Sequence, residues 1–325
     1  MKRPTILILG IALATIVAAC GDSTGGLGAV PTVVPSAAPS AGPSEPDQTP
    51  GPSAPASPTA APPSSPAATP TPTPSGALGK TMLVRAYFVL GGEPGVVGLV
   101  PVLRTVPEST AVAKAAMTAL LAGPTSAEDG ERTITTAIPE GTRLLGVTIK
   151  NGVATVDLSS QFDSGGGTAS MQYRLAQVVY TLTQFSTVKS VVFRIDGTTV
   201  TVFGGEGIVL DGPQARKDYY DQLPSIFVDR PAYGAALGNV GPVAGNANVF
   251  EATFRIAVLD GSGKVLMDDQ VMASCGTGCR GTFDLLVGYT IGKAQWGTLR
   301  VYDPSEKDGT PEDVRDYPVW LTPHK

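Results

Sequence analysis

The stretch MQYRLAQVVYTLTQF, residues 171–185, decides how the rest of the chain is read. Met171, Leu175, Val178, Leu182 and Phe185 recur at intervals of four, three, four and three, the spacing that keeps one face of an α-helix turned the same way. Such a face needs a sheet to cover it, and the flanking sequence supplies one. Upstream, Arg143 to Lys150 and Val153 to Leu158 read as strands joined by Asn151-Gly152, a dipeptide that tolerates the positive φ of a tight hairpin turn. Downstream, Val188 to Ile195 and Thr198 to Phe203 read as a second hairpin around Asp196-Gly197. Ser164 and three glycines, Gly165 to Gly167, lead into the helix.

Further out on the N-terminal side, Met82 to Leu90 and Val97 to Arg104 read as strands, and a helix runs from about Glu108 to Ala122. Val112, Ala116, Ala119 and Leu120 give that helix its apolar stripe, and Gly123-Pro124 ends it. Pairs of strands alternating with single helices predict an α+β domain over 81–205, with a hint of internal duplication. On the C-terminal side a break falls near Gly212 to Pro224, so 206–223 reads as an interdomain linker. Beyond it no helix is needed. Ile226 to Val228, Val243 to Ala247, Phe250 to Leu259, Lys264 to Ala273, Gly281 to Tyr289, Gly297 to Tyr302 and Tyr317 to Leu321 are short strand candidates, and Asp260-Gly261-Ser262-Gly263 and Asp308-Gly309 are turns between them. This predicts an all-β sandwich over 224–322. The folded sequence, about 245 residues, is long for one core and comfortable for two.

The first nineteen residues carry Lys2 and Arg3, then an uncharged apolar run from Ile6 to Val17, then Ala18-Ala19. That is the anatomy of a signal peptide, and the run is too short for the roughly 20 residues that a membrane-spanning helix needs. Val17-Ala18-Ala19-Cys20 resembles the lipobox of bacterial lipoproteins, which implies cleavage before Cys20 and acylation of its thiol. The expected location is therefore the outer face of the cytoplasmic membrane, with lipid on Cys20 as the anchor. Residues 20–80 are almost wholly Pro, Ala, Ser, Thr and Gly, a composition that builds no core and predicts a disordered stalk. Such a stalk reaches on the order of 180 Å as polyproline II and about 40 Å as a coil. Formal charge is −5, and loss of Lys2 and Arg3 with the signal peptide takes it to −7, which argues against nucleic acid as a partner.

Catalytic chemistry is limited by inventory. The single histidine, His324, lies next to the C-terminus, so Ser-His-Asp and Cys-His sets lack their base, and zinc lacks a usual ligand set. No cofactor and no metal is expected. A carboxylate enzyme acting on peptidoglycan remains as the alternative, with Asp157, Glu206 and Asp211 as its acids. Cys275 and Cys279, an even pair in an exported chain, predict a disulfide. Tyr87 and Arg104 are the candidates for a binding surface on the first sheet, against the simpler reading of an edge arginine packing its stem on an aromatic ring. Asp303, Ser305 and Asp308-Gly309 miss the register of a calcium loop and read as a turn.

Two stretches resemble known families. Residues 81–205 resemble the GerMN domain of sporulation and germination lipoproteins through Tyr87-Phe88, Arg104, Leu120-Leu121-Ala122-Gly123-Pro124, Ile138-Pro139, Val156-Asp157-Leu158-Ser159, the run Val179 to Phe185, and Asp196-Gly197. Residues 224–322 resemble the immunoglobulin-like domain that accompanies GerMN, through Pro231, Pro242-Val243-Ala244-Gly245, Phe250-Glu251-Ala252, Gly281-Thr282-Phe283 and Asp308-Gly309. The resemblance implies a non-enzymatic binding or scaffold protein of the cell envelope, whose partner is an envelope protein or the cell wall.

Overall fold

The structure is a computed structural model that describes residues 80–91 and 97–324, the side chains of 130–132 excepted. The expected signal peptide, the expected lipidation site Cys20 and the expected stalk lie outside the described residues. The first module begins with β1 (Thr81–Leu90) and β2 (Gly98–Pro107), which pair antiparallel along their whole length. Next come α1 (Val112–Leu121) and α2 (Ser126–Arg132), and then β3 (Ile134–Thr135), which pairs with the end of β1. The α2 helix is absent from the sequence reading, although Thr125-Ser126-Ala127-Glu128 is a capping box: the Glu128 carboxylate accepts from the Thr125 amide and the Thr125 hydroxyl accepts from the Glu128 amide.

A second sheet holds β4 (Leu144–Lys150), β5 (Val153–Leu158), β6 (Ser190–Ile195) and β7 (Thr198–Thr199) in that order, and α3 (Thr168–Leu182) crosses over between the parallel strands β5 and β6. Phe162, on a short helical turn before α3, stacks on Phe193 and leans on Phe203. The first half reads strand, strand, two helices, strand and the second half reads strand, strand, one helix, strand, and the pairing differs as well. The first strand is central in one sheet, and the second strand is next to its parallel partner in the other.

α3 explains how the two sheets are joined. Its apolar residues Met171, Leu175, Val178 and Leu182 are buried as their spacing predicts, and so are Gln177 and Thr181. With Gln184 these two form a polar stripe that lies along the free edge of β1. The Thr181 hydroxyl accepts from the Tyr87 amide, Gln184 both accepts from the Arg85 amide and donates to its carbonyl, and Gln177 donates to the Tyr87 carbonyl. An open strand edge inside a core would leave backbone groups unsatisfied, so three side chains take the place of a neighbouring strand.

The expected strand Thr198 to Phe203 breaks into β7 and β8 (Val202–Phe203), and β8 pairs with β9 (Ile208–Val209). The predicted linker is thus folded onto the first module. Gln214 exchanges two backbone hydrogen bonds with Val191, and a helical turn over Arg216–Gln222 packs on α3.

The second module is a two-sheet sandwich. One sheet orders β10 (Ile226–Arg230), β12 (Val240–Ala247) and β15 (Gly281–Gly288); the other orders β11 (Ala236–Leu237), β17 (Pro311–Leu321), β16 (Gln295–Pro304), β13 (Thr253–Leu259) and β14 (Val265–Met272). Phe250 to Ala252, expected at the start of a strand, forms a short helical turn. One contiguous set of buried apolar residues runs from Ala86 through Tyr180 and Phe227 to Leu321, so the two modules share a core.

Candidate functional site

Alternation along β1 separates the two candidate surface residues. Arg104 faces Val84 across the β1–β2 ladder, and Tyr87 lies three positions further along β1, so the two side chains emerge on opposite faces. They form no common surface. Tyr87 is wholly buried, which corrects its expected role in binding. Its ring lies 5.5 Å from that of Tyr180, and its hydroxyl donates to Asp229 Oδ1.

Asp229 is the centre of that contact. Arg85 Nη1 reaches its carbonyl at 3.0 Å and its carboxylate at 3.4 Å, and Arg216 Nη1 reaches the carboxylate at 3.2 Å. Arg216 Nη2 also donates to the Tyr87 hydroxyl at 3.1 Å, its Nε donates to Thr183 Oγ1 at 2.9 Å, and its guanidinium lies 4.6 Å from the Tyr180 ring centre. Burial works to raise the Asp229 carboxyl, but the guanidiniums of Arg216 and Arg85 and the Tyr87 hydroxyl outweigh it, and the group is held below the usual carboxylate range. Burial, followed by the Asp229 charge, pushes the Tyr87 phenol up. The network draws on β1, on the segment between the modules and on β10, so it ties the modules together.

Arg104 sits elsewhere. Its guanidinium forms a fork with Glu128, at 2.8 and 2.6 Å, and lies 5.0 Å from the Phe88 ring centre. Although partial burial opposes it, the bonds from Arg104 and from the Thr125 amide hold the Glu128 carboxyl low. Arg104 ends a groove of about 640 Å³ between β2 and α1, lined by Val106, Pro107, Ala115, Ala119 and Pro124 with Lys114 at its rim. The groove is mostly apolar because α1 turns its buried residues, Ala113, Ala116, Met117 and Leu120, inward and leaves a face of small alanines outward. Its arginine is already neutralised. The surface suits an apolar partner segment better than a charged small molecule.

Most of the remaining candidates have structural partners. Asp157 accepts from the Gly197 amide, and Glu206 accepts from the Thr168 hydroxyl. Asp211 lines a small polar recess of about 260 Å³. The glycine loop before α3 wraps Arg174, which donates to the carbonyls of Phe162, Ser164 and Gly165, so the loop turns carbonyls to a cation. Asp308 accepts from the Thr310 amide and hydroxyl in the turn between β16 and β17. Cys275 and Cys279 are joined as a disulfide with Cα atoms 5.9 Å apart. Among the described residues, no three His, Cys, Asp or Glu gather as a metal site, and no helix is long and apolar enough to cross a membrane.

Sequence reasoning missed Arg216, Asp229 and the stripe Gln177, Thr181, Gln184. The stripe had a signal, polar residues at helical spacing along and just past an amphipathic helix, whereas Arg216 and Asp229 meet only in the folded chain.

A mixed α+β module fused through a shared core to an immunoglobulin-like sandwich is the class that this fold defines. The chain carries a Germane domain, described as sporulation and spore germination, over residues 85–201, followed by a Gmad2 domain, the immunoglobulin-like domain of bacterial spore germination, over 225–310. Among solved structures it is similar to the first GerMN domain of the sporulation protein GerM from Bacillus subtilis, at 27% identity over 42% of this chain and 99% of that one, with a TM-score of 0.36. The tandem GerMN domains of the same protein match at 18% identity over 64% of this chain and 62% of theirs, with a TM-score of 0.37. Comparison with curated proteins found no match.

Proposed function

We propose that this chain is a lipid-anchored, extracytoplasmic scaffold of the cell envelope and acts without catalysis. The observation that carries the reading is how the charged groups are used. A largely buried carboxylate and a buried phenol, Asp229 and Tyr87, join the two modules to each other, while the open groove beside Arg104 is apolar and has its arginine neutralised by Glu128. Groups spent on holding modules together are not free to transfer protons, and an apolar groove on a rigid body suits protein docking. The lipobox at Cys20 and the Pro-rich stretch after it support display away from the membrane surface.

The test is photo-crosslinking in intact cells from a reactive group placed at Ala119, beside an otherwise identical protein carrying Ala115→Arg. We expect a discrete envelope partner that Ala115→Arg removes, and Cys20→Ser should move the protein from the membrane to the soluble fraction. Release of muropeptides from sacculi by the purified protein would overturn the non-catalytic reading.

A further inference from the structure

The chain has two tryptophans, and both stand on one spot of the second module. Trp296 on β16 lies directly opposite Trp320 on β17, with ring centres 5.4 Å apart and planes at 73°. Their strand neighbours Gly297, Leu299, Val319 and Leu321 point into the sandwich, so the indoles project from the outer face of the five-stranded sheet, 53% and 37% exposed. Tryptophan is usually well covered in a folded protein, and two exposed side by side need an explanation. The next positions on this face are Thr298 and Pro318, again opposite each other, and then Arg300 and Asp316, held by a fork of two 2.7 Å bonds with their side chains 35% and 45% exposed. Arg255 follows, bonded to Asp268 and to the Tyr302 hydroxyl. The face thus passes from an aromatic corner to a row of paired, hydrogen-bonding charges.

We infer that Trp296 and Trp320 form a binding platform for an uncharged pyranose of a glycan chain, with Thr298, Arg300 and Asp316 bonding its hydroxyls. One face of a sugar ring presents polarised C–H groups, which match the negative face of an indole, and its rim presents hydroxyls that both donate and accept. The charges favour a neutral ligand. Arg300 is matched by Asp316 and Arg255 by Asp268, so the face has no net positive charge to draw an anionic lipid surface, and the whole chain is acidic. The area argues against a second copy of this chain. Together the exposed parts of the two indoles amount to less than one full side chain, on the order of 200 Å², where a stable protein interface takes about 800 Å² from each partner. This platform lies on a different module from the groove beside Arg104 and stands or falls separately from it.

Because both tryptophans belong to the platform, their fluorescence reads it directly. The full-length lipoprotein in detergent would be titrated with two neutral probes, triacetylchitotriose and cellotriose, with retention on chitin beads as a second measurement. We expect a saturable blue shift with at least one probe. Trp296→Ala or Trp320→Ala should weaken binding tenfold or more, whereas Trp296→Tyr and Trp320→Tyr, which keep an aromatic ring and hold the sheet, should retain most of it. Arg300→Gln should weaken binding with little change in melting. The inference is overturned by an emission unchanged up to the solubility of both sugars. It is equally overturned by a shift that appears only with phosphatidylglycerol vesicles, which would mark a membrane contact, or only with rising protein concentration, which would mark self-association.

Discussion

Asp229 receives Arg85 and Tyr87 from β1 and Arg216 from the segment between the modules, and its side chain is 20% exposed. Removing its charge while leaving the partners in place strands two guanidiniums in a largely desolvated site, and Asp229→Asn should cost about 3 kcal/mol of stability. The pH dependence follows from the direction of the shift. The folded carboxyl titrates below the unfolded value of about 3.9. Its contribution is therefore complete above that value and is lost as pH falls through the lower, folded one. Urea unfolding midpoints of the wild type should drop across the acid range, and the difference from Asp229→Asn should shrink with them. A difference that stays constant down to the acid limit would show that the charge is not what stabilises the contact.

At the scale of elements, α3 does two jobs with one sequence. Its apolar face was legible because a helix of fifteen residues shows its period clearly. Its second job was harder to see, because a glutamine in a helix is ordinarily solvated, and only the fold places Gln177, Thr181 and Gln184 against a strand edge. Gln177→Leu keeps the volume but leaves the Tyr87 carbonyl and the Ala137 amide without the glutamine that now bonds them. We expect a loss of about 2–3 kcal/mol and faster hydrogen exchange at the Ala137 amide and along the α3-facing edge of β1. Unchanged exchange at Ala137 and Tyr87 would mean that another group serves that edge. The α2 helix shows the opposite case, a short element whose capping box was readable but whose seven residues give too little period to recognise.

At the scale of the molecule, the two modules behave as one body because the chain is stitched across their boundary in several places. Tyr233 exchanges backbone hydrogen bonds with Pro101 and Leu103 of β2, and the next residue, Gly234, donates to Pro318 of β17. Arg315, 1% exposed on β17, donates to the carbonyls of Gly98 and Leu99. Gly98 is glycine for want of room, since a Cβ there would lie 2.6 Å from the Pro224 nitrogen. Gly98→Val should therefore pry the modules apart. Calorimetry should show one transition for the wild type and two for the variant; a single transition in both would mean that the boundary does not couple them.

The sequence by itself determined the kinds of structure and their order among the described residues: an α+β module followed by a sandwich. These follow from composition and from periods of two and of three to four residues, which any local window of sequence contains. Tertiary structure alone decided that Tyr87 is interior, that the supposed linker is folded, that Arg85, Arg216 and Asp229 meet, and that two tryptophans 24 positions apart share a face. Those outcomes depend on which strand pairs with which and in what register. Register is fixed by the sum of contacts across the whole core, and no local stretch of sequence records it.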